Sequence, residues 1–382
     1  MLVVAAGRVI GADRAAAELD VVCADGEIVE LRPPGSRVPA GAVRIDASGC
    51  YVAPGFLDLQ INGGFGHDFT TAPSSIARVA EQLPRFGVTG FLPTIVTAPP
   101  SARAAALEAM AATDATGTAG AAVPLGLHFE GPLISPRRAG AHDVDWIGDV
   151  ATTPDTETWD AARGVVLVTL APELPGTLEL IRTLVGRGVV VSAGHTACTA
   201  EQMAAARDAG VSAVTHLFNA MAPFGHRSPG PAGVALADEA LVAGLICDGV
   251  HVDPLAVRVA WRALGPRRTM LVSDAVAALG ASEGSATLAG RPVSLGEAGV
   301  RTGDGVLAGS DLALDRAVRN LVAFTGCGPA DAIATVTSTP AGLLGLTDRG
   351  RVAVGARADL VVLDPELYPV ETIVGGETAW RS

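Results

Sequence analysis

Lysine is absent from the 382-residue chain, and all 27 of its basic residues are arginines. A chain without lysine cannot form a Schiff base with a carbonyl or pyridoxal phosphate, complete a Walker A loop, or bridge two metals through a carbamylated side chain. Cysteine is scarce too: Cys23, Cys50, Cys198, Cys247 and Cys327 are odd in number, far apart and without a C-x-x-C pair. Neither a disulfide framework nor a thiolate zinc site is suggested, and a reducing compartment fits. The 27 basic residues face 40 acidic ones, a net charge of −13 that repels nucleic-acid phosphates and anionic membrane surfaces. Apolar runs are interrupted by Gly or Pro before reaching the length of a membrane span. Met1 to Ile10 is apolar but short, has no basic leader and runs into Asp13, Arg14 and Glu18, unlike a signal peptide. A cytoplasmic location, with no nucleic-acid or membrane partner, is expected.

What the chain does hold is apolar mass: 49% hydrophobic and 18% charged residues, enough for a large core. Its length suits one large domain with an accessory piece, or two domains. The first fifty residues read as short strands at Leu2–Ile10, Leu19–Cys23, Glu27–Leu31 and Val43–Asp46. The end of the chain resembles them, with strands at Arg351–Val354, Ala358–Leu363, Thr372–Val374 and Thr378–Trp380. A small β-sandwich domain formed by both chain termini, 1–53 and 347–382, is expected.

The middle, 54–346, alternates. Strand candidates at Gly55–Gln60, Gly90–Thr94, Gly126–Glu130, Val165–Ala171, Val189–His195, Ala213–His216, Ala243–Asp248 and Met270–Asp274 are separated by Ala-rich helical stretches. The helical stretches include Ser74–Phe86, Ser101–Ala112, Thr177–Arg187, Thr199–Ala209 and Pro254–Leu264. This is the α/β pattern of a (β/α)8 TIM-like barrel, whose active site lies at the strand C-terminal ends. A doubly wound sheet is the alternative, but no G-x-G-x-x-G follows the first strand.

Glu130, His195, His216 and Asp274 each end a strand candidate, so barrel closure would bring them to one mouth. One carboxylate and two imidazoles suit a catalytic zinc or iron(II) with a position open for water, and a second carboxylate suits a base. A single His at a strand end is ordinarily a hydrogen-bonded structural residue; the joint pattern is what points to a site. Small residues in Ser192-Ala-Gly-His195 leave room for close approach. Cys198 reads as a plain helix-start residue; His67 and His128 are weaker candidates, His128 as a packed barrel residue two positions before Glu130. His142, Asn219, His226, Arg227 and His251 stand in loops. Arg227 and His251 together could hold an anion such as a phosphate, although a loop arginine is most often just solvated.

Six segments then add up: Pro54-Gly-Phe-Leu-Asp58-Leu-Gln-Ile-Asn-Gly, Leu127-His-Phe-Glu130-Gly-Pro, Ser192-Ala-Gly-His195-Thr, Thr215-His216-Leu-Phe-Asn-Ala-Met, Cys247-Asp-Gly-Val-His251 and Val272-Ser-Asp274-Ala. Together they closely resemble the N-acetylglucosamine-6-phosphate deacetylase family of the amidohydrolase superfamily. The likeness runs over nearly the whole chain. Its segment from Gly350 to Asp364 is generic to the superfamily, whereas the segments at His216 and His251 are specific.

The resemblance implies that Glu130, His195 and His216 bind one divalent metal, zinc or iron(II), and that Asp274 is the catalytic base that later protonates the leaving amine. It implies that His142 contacts the carbonyl side of the substrate. Asn219, the backbone at Ala220, His251 and Arg227 would hold a sugar phosphate, with Arg227 reaching across a homodimer interface. The chain departs from the wider superfamily in carrying Gln60-Ile61-Asn62 where many members have His-x-His for a second metal. Amides are poor ligands beside imidazole, which makes this second position vestigial. The implied reaction is metal-dependent deacetylation of N-acetyl-D-glucosamine 6-phosphate in amino-sugar catabolism and cell-wall sugar recycling. The alternatives are another mononuclear amidohydrolase, acting on N-acyl amino acids or cyclic amides, and a non-catalytic sugar-phosphate-binding protein. The metal's identity and tolerance for N-acetylgalactosamine 6-phosphate are open at this level.

Overall fold

The computed structural model describes residues 1–11, 16–37, 40–112, 120–281 and 285–382. Continuous apolar runs suit parallel strands covered on both faces, and Val88–Val96 is buried at all nine positions. It is the second of eight parallel barrel strands, the others being Phe56–Ile61, Leu127–Glu130, Val165–Leu170, Val190–Ala193, Ala213–Val214, Val242–Leu245 and Thr269–Leu271. The ring is nearly closed. Its last and first strands are joined beyond Leu271 by an Ile61–Ala275 bridge and by Asp274 N donating to Gln60 O at 2.9 Å. Helices cover the outside; Leu180, Ile181 and Leu184 of Thr177–Gly186 are buried in the same core as the strands. Thr199 and Gln202 form a reciprocal capping box that starts Ala200–Ala209, satisfying donors that the first helical turn leaves unpaired.

Both chain ends build an eight-stranded, mostly antiparallel sheet. Tyr51–Pro54 pairs antiparallel with Leu360–Leu363, tying the two ends together. Leu2–Ile10 lies parallel to Val43–Asp46 along its first half and to Tyr51–Pro54 along its second. Val4, Val21, Ile28, Val52, Val362 and Ile373 share a core separate from that of the barrel.

Several elements differ from expectation for local reasons. Ser74–Phe86 is not one helix but a turn of 3₁₀ helix, a short α-helix Ile76–Ala80 and a second 3₁₀ turn Leu83–Phe86. Pro84 removes an N–H that a continuous helix would need, and Gly87 at φ 77° ends the run. Arg351–Val354 is not a strand; Gly355 N donates to Ile28 O at 2.9 Å, so the segment crosses the end of Glu27–Arg32 in a turn. Three barrel strands stop short of the functional residue expected at their tips. His195, His216 and Asp274 have φ of 46°, 27° and 47°, which takes each out of the extended conformation. An antiparallel sheet of Ser285–Leu288, Arg291–Gly296 and Gly299–Thr302 was not expected, nor were the helices Gly230–Ala237, Leu314–Thr325, Pro329–Ala334 and Ser338–Leu343.

Candidate active site

The four strand-end residues do meet. Glu130 Oε1 lies 3.0 Å from His216 Nε2 and 3.2 Å from His195 Nε2. The two imidazole Nε2 atoms are 3.1 Å apart, and all three side chains are buried. Glycine at 194 makes this approach possible, because a Cβ there would sit 2.6 Å from Thr169 Cγ2 and 2.8 Å from Thr215 Cβ. His195 Nδ1 lies 2.9 Å from the carbonyl of Arg138; donating there, it leaves the Nε2 lone pair aimed at the cluster. Two ring nitrogens and a carboxylate oxygen facing one point form an acceptor-rich set that a divalent cation satisfies, and this donor set fits zinc or iron(II).

Burial alone would push the Glu130 carboxyl up, but when His195 and His216 are protonated their hydrogen bonds and positive charge hold it well below its usual range. Burial pulls the His216 imidazole down, and its hydrogen bond to Glu130 and that group's charge more than offset this, so its pKa is raised. Asp274 is pushed up to about 6, by burial first and then by the Glu130 charge. Its Oδ1 accepts from Asn62 Nδ2 at 2.8 Å and from Gln60 Nε2 at 3.2 Å. The same Gln60 nitrogen lies 3.1 Å from Glu130 Oε1. Gln60 and Asn62 therefore act as donors to the carboxylates.

The His142 ring packs tilted against His195, at 4.3 Å between centroids and 56° between planes, with Nε2 4.0 Å from Glu130 Oε2. Its Nδ1 faces the backbone N–H of Thr97 at 3.4 Å and the Thr97 hydroxyl at 2.7 Å. A backbone N–H can only donate, so Nδ1 is the acceptor and Nε2 carries the proton. Burial pushes this imidazole down to about 3, with the His195 charge adding to the effect. His142 thus presents a neutral N–H donor to the cavity.

His142, Asn219, Ala220 and His251 line one cavity of about 180 Å³ with the Glu130, His195, His216 and Asp274 cluster. Leu288, Val306 and Leu307 line it too, bringing the unexpected antiparallel sheet and its following loop into its wall. His251 Nδ1 lies 2.7 Å from Asp248 Oδ2, and Asp248 Oδ1 accepts from the backbone N–H groups of Val250 and His251 at 2.8 Å each. The His251 proton is thereby drawn to Nδ1.

Arg227 is not brought to its own cavity: it is exposed, in a tight turn closed by a Gly225–Ser228 bridge. No arginine lines the cavity among the described residues. His226 is exposed as well. His128 is buried between the hydroxyls of Thr94 and Thr169, at 3.2 and 2.8 Å, and burial pushes it down to about 4. The Cys198 thiol is pushed up to about 11, chiefly by burial, consistent with an unreactive packed residue.

Sequence reasoning missed the supports of the site. Asp248 was within reach, because its i, i+3 spacing to His251 is local. Thr97 under His142, Asp58 under Ser273 and Glu173 against the His195 loop left no local signal.

Residues 51–379 match the amidohydrolase family. The N-acetylglucosamine-6-phosphate deacetylase of Bos taurus is 40% identical over 355 residues, covering 88% of this chain and 85% of that protein. The N-acetylgalactosamine-6-phosphate deacetylase of Escherichia coli O157:H7 is 36% identical over 359 residues, covering 93% of each. Among solved structures, a mutant N-acetyl-D-glucosamine-6-phosphate deacetylase from Mycobacterium smegmatis, in complex with N-acetyl-D-glucosamine-6-phosphate, superimposes with a TM-score of 0.90 at 33% identity, covering 99% of each chain.

Proposed function

This chain belongs to the amidohydrolase family, and on that premise we propose that it hydrolyses the acetamide of N-acetyl-D-glucosamine 6-phosphate to D-glucosamine 6-phosphate and acetate. The observation that carries this reading is the convergence of Glu130, His195 and His216 within 3.2 Å of one another in a cavity that Asp274 also lines.

Glu130, His195 and His216 would hold one divalent metal, zinc or iron(II), which supplies Lewis acidity to polarise the amide carbonyl and acidify water. Asp274 takes a proton from the attacking water. Its raised pKa of about 6 keeps the proton transferable near neutral pH, so the same carboxyl then delivers it to the departing sugar nitrogen. Gln60 and Asn62 occupy one carboxylate oxygen of Asp274 and leave the other for this transfer. The Nε2–H of His142 donates to the carbonyl oxygen as negative charge develops on it.

Asn219, the backbone at Ala220 and His251 hold the sugar phosphate. Arg227, exposed and not among the residues lining its own cavity, reaches the site of a second copy in a homodimer. The enzyme works in the cytoplasm, in amino-sugar catabolism and cell-wall sugar recycling. Residues 1–53 with 347–382 make one domain and 54–346 the catalytic one; an apolar core confined to the two terminal segments supports that division. No helix of the described residues is long and apolar enough to cross a membrane.

The test is acetate release by purified, metal-supplemented protein on phosphorylated and unphosphorylated N-acetylglucosamine. Turnover of the 6-phosphate with little on the free sugar is expected. Failure on the phosphorylated sugar together with hydrolysis of an N-acyl amino acid or cyclic amide would replace the assignment, and tight sugar-phosphate binding without acetate would make the protein a binding module.

A further inference from the structure

The carboxylate of Glu173 has no part in the chemistry above, yet it grips the loop that carries His195. It lies in the loop after Val165–Leu170. Its Oε2 accepts from the Thr196 hydroxyl at 2.5 Å, and its Oε1 from the backbone N–H of Ala197 at 2.6 Å. Thr196 is fully buried. Its hydroxyl oxygen also accepts from Cys198 N at 3.1 Å, so the single hydroxyl proton has Glu173 as its partner.

The backbone of Thr196 extends this grip to the other side of the cavity. Thr196 N donates to Ala220 O at 3.1 Å and Ala222 N to Thr196 O at 2.9 Å. The clamped segment is held in a costly conformation, with φ of 27° at His216, 76° at Phe218 and 48° at Ala220; His195 itself is at 46°. Left-handed backbone at non-glycine residues persists only where surrounding bonds over-determine it. Glu173 is one such bond-former, meeting the loop from outside the cavity.

We propose that Glu173 is a positioning residue that, through Thr196, holds two parts of the site at once: the metal-binding imidazole of His195 and the sugar-phosphate segment Asn219–Met221. This rests on the function proposed above. Donor and acceptor counting makes the carboxylate specific. An amide in its place can accept from the Ala197 N–H with its oxygen, but its N–H₂ then only donates toward the Thr196 oxygen, and the Thr196 hydroxyl proton loses the acceptor that the carboxylate gave it.

Zinc affinity by chelator competition, KM for N-acetylglucosamine 6-phosphate and thermal stability are to be measured on the metal-loaded full chain for Glu173→Gln, Thr196→Val and Thr196→Ser. Glu173→Gln is expected to weaken zinc binding by roughly ten- to a hundredfold and to raise KM. Thr196→Val, which removes the hydroxyl, should reproduce both effects, and Thr196→Ser, which keeps it, should stay within about threefold of wild type. A lowered melting temperature with zinc affinity and KM unchanged in Glu173→Gln or Thr196→Val would reduce Glu173 to scaffolding and overturn the proposal. So would equal losses in Thr196→Val and Thr196→Ser. If Glu173→Gln does not fold, the two Thr196 variants decide alone. Absence of deacetylase activity in the wild type would count against the proposed reaction, while the zinc competition would still decide the role at His195.

Discussion

Asn62 donates its side-chain amide to Asp274 Oδ1 at 2.8 Å, so an amide at the end of the first barrel strand restrains a carboxylate at the end of the last. Gln60 donates to the same oxygen at 3.2 Å and also reaches Glu130. Both amides turn N–H groups, not lone pairs, toward the carboxylates, and a cation placed there would meet donors.

Protein purified without added metal should accordingly hold about one tightly bound divalent ion per chain. Elemental analysis against protein concentration checks this, and two firmly retained ions would contradict the single-site reading.

For Asp274, the amide variant keeps the size but loses proton transfer. Asp274→Asn should lower kcat by at least about a hundredfold with little change in KM or metal content. Steady-state kinetics on a metal-replete variant is the measurement; near-normal kcat would remove Asp274 from the base role.

Arg227 lies outside its own cavity, and a guanidinium–phosphate contact is charge-assisted and often bidentate. Arg227→Ala should raise KM for the 6-phosphate substrate by a loss of roughly 1.5–3 kcal/mol and hardly affect an unphosphorylated analogue. Heterodimers of Arg227→Ala and Asp274→Asn chains should regain one intact site per dimer. A mixture no more active than its parents would place Arg227 in its own site.

Asp58 supplies a pH test of stability. Its carboxyl is fully buried under the site, accepts from Ser273 N at 3.2 Å and Gln60 N at 3.3 Å, and is pushed up to about 7, mainly by burial. In the unfolded chain it titrates near its ordinary value of about 4. Between these values the folded protein binds the proton and the unfolded chain does not, so this contribution is full below about pH 4 and is lost as pH rises toward 7. Asp58→Asn, which cannot ionise, should gain stability relative to wild type across that window. Melting temperatures of both proteins from pH 4.5 to 7.5 check it, and a difference independent of pH would show that Asp58 does not titrate there.

The barrel was legible because parallel strands covered on both faces must be apolar throughout, and each run ends where a polar residue meets the mouth. Phe129-Glu130 and Gly194-His195 are such places, and their chemistry follows from residue type. Elements governed by local interruptions were misread. Pro84 breaks what looks like a helix, and Gly355 turns what looks like a strand. The antiparallel sheet Ser285–Thr302 was missed, although it packs on Val96 and Val276 and helps wall the cavity.

The sequence by itself determined which residues arrive at the barrel mouth, since the order of apolar runs and turns sets the strands and each strand end carries its own side chain there. Only the tertiary structure decided how those side chains are aimed and held. The Gln60–Asp274 contact joins positions 214 apart, and Glu173 reaches Thr196 between the loops that follow two neighbouring barrel strands. The left-handed backbone at His195, His216 and Asp274 is imposed by bonds from distant segments. Local propensity disfavours that conformation in non-glycine residues, so no reading of neighbours along the chain could have found it.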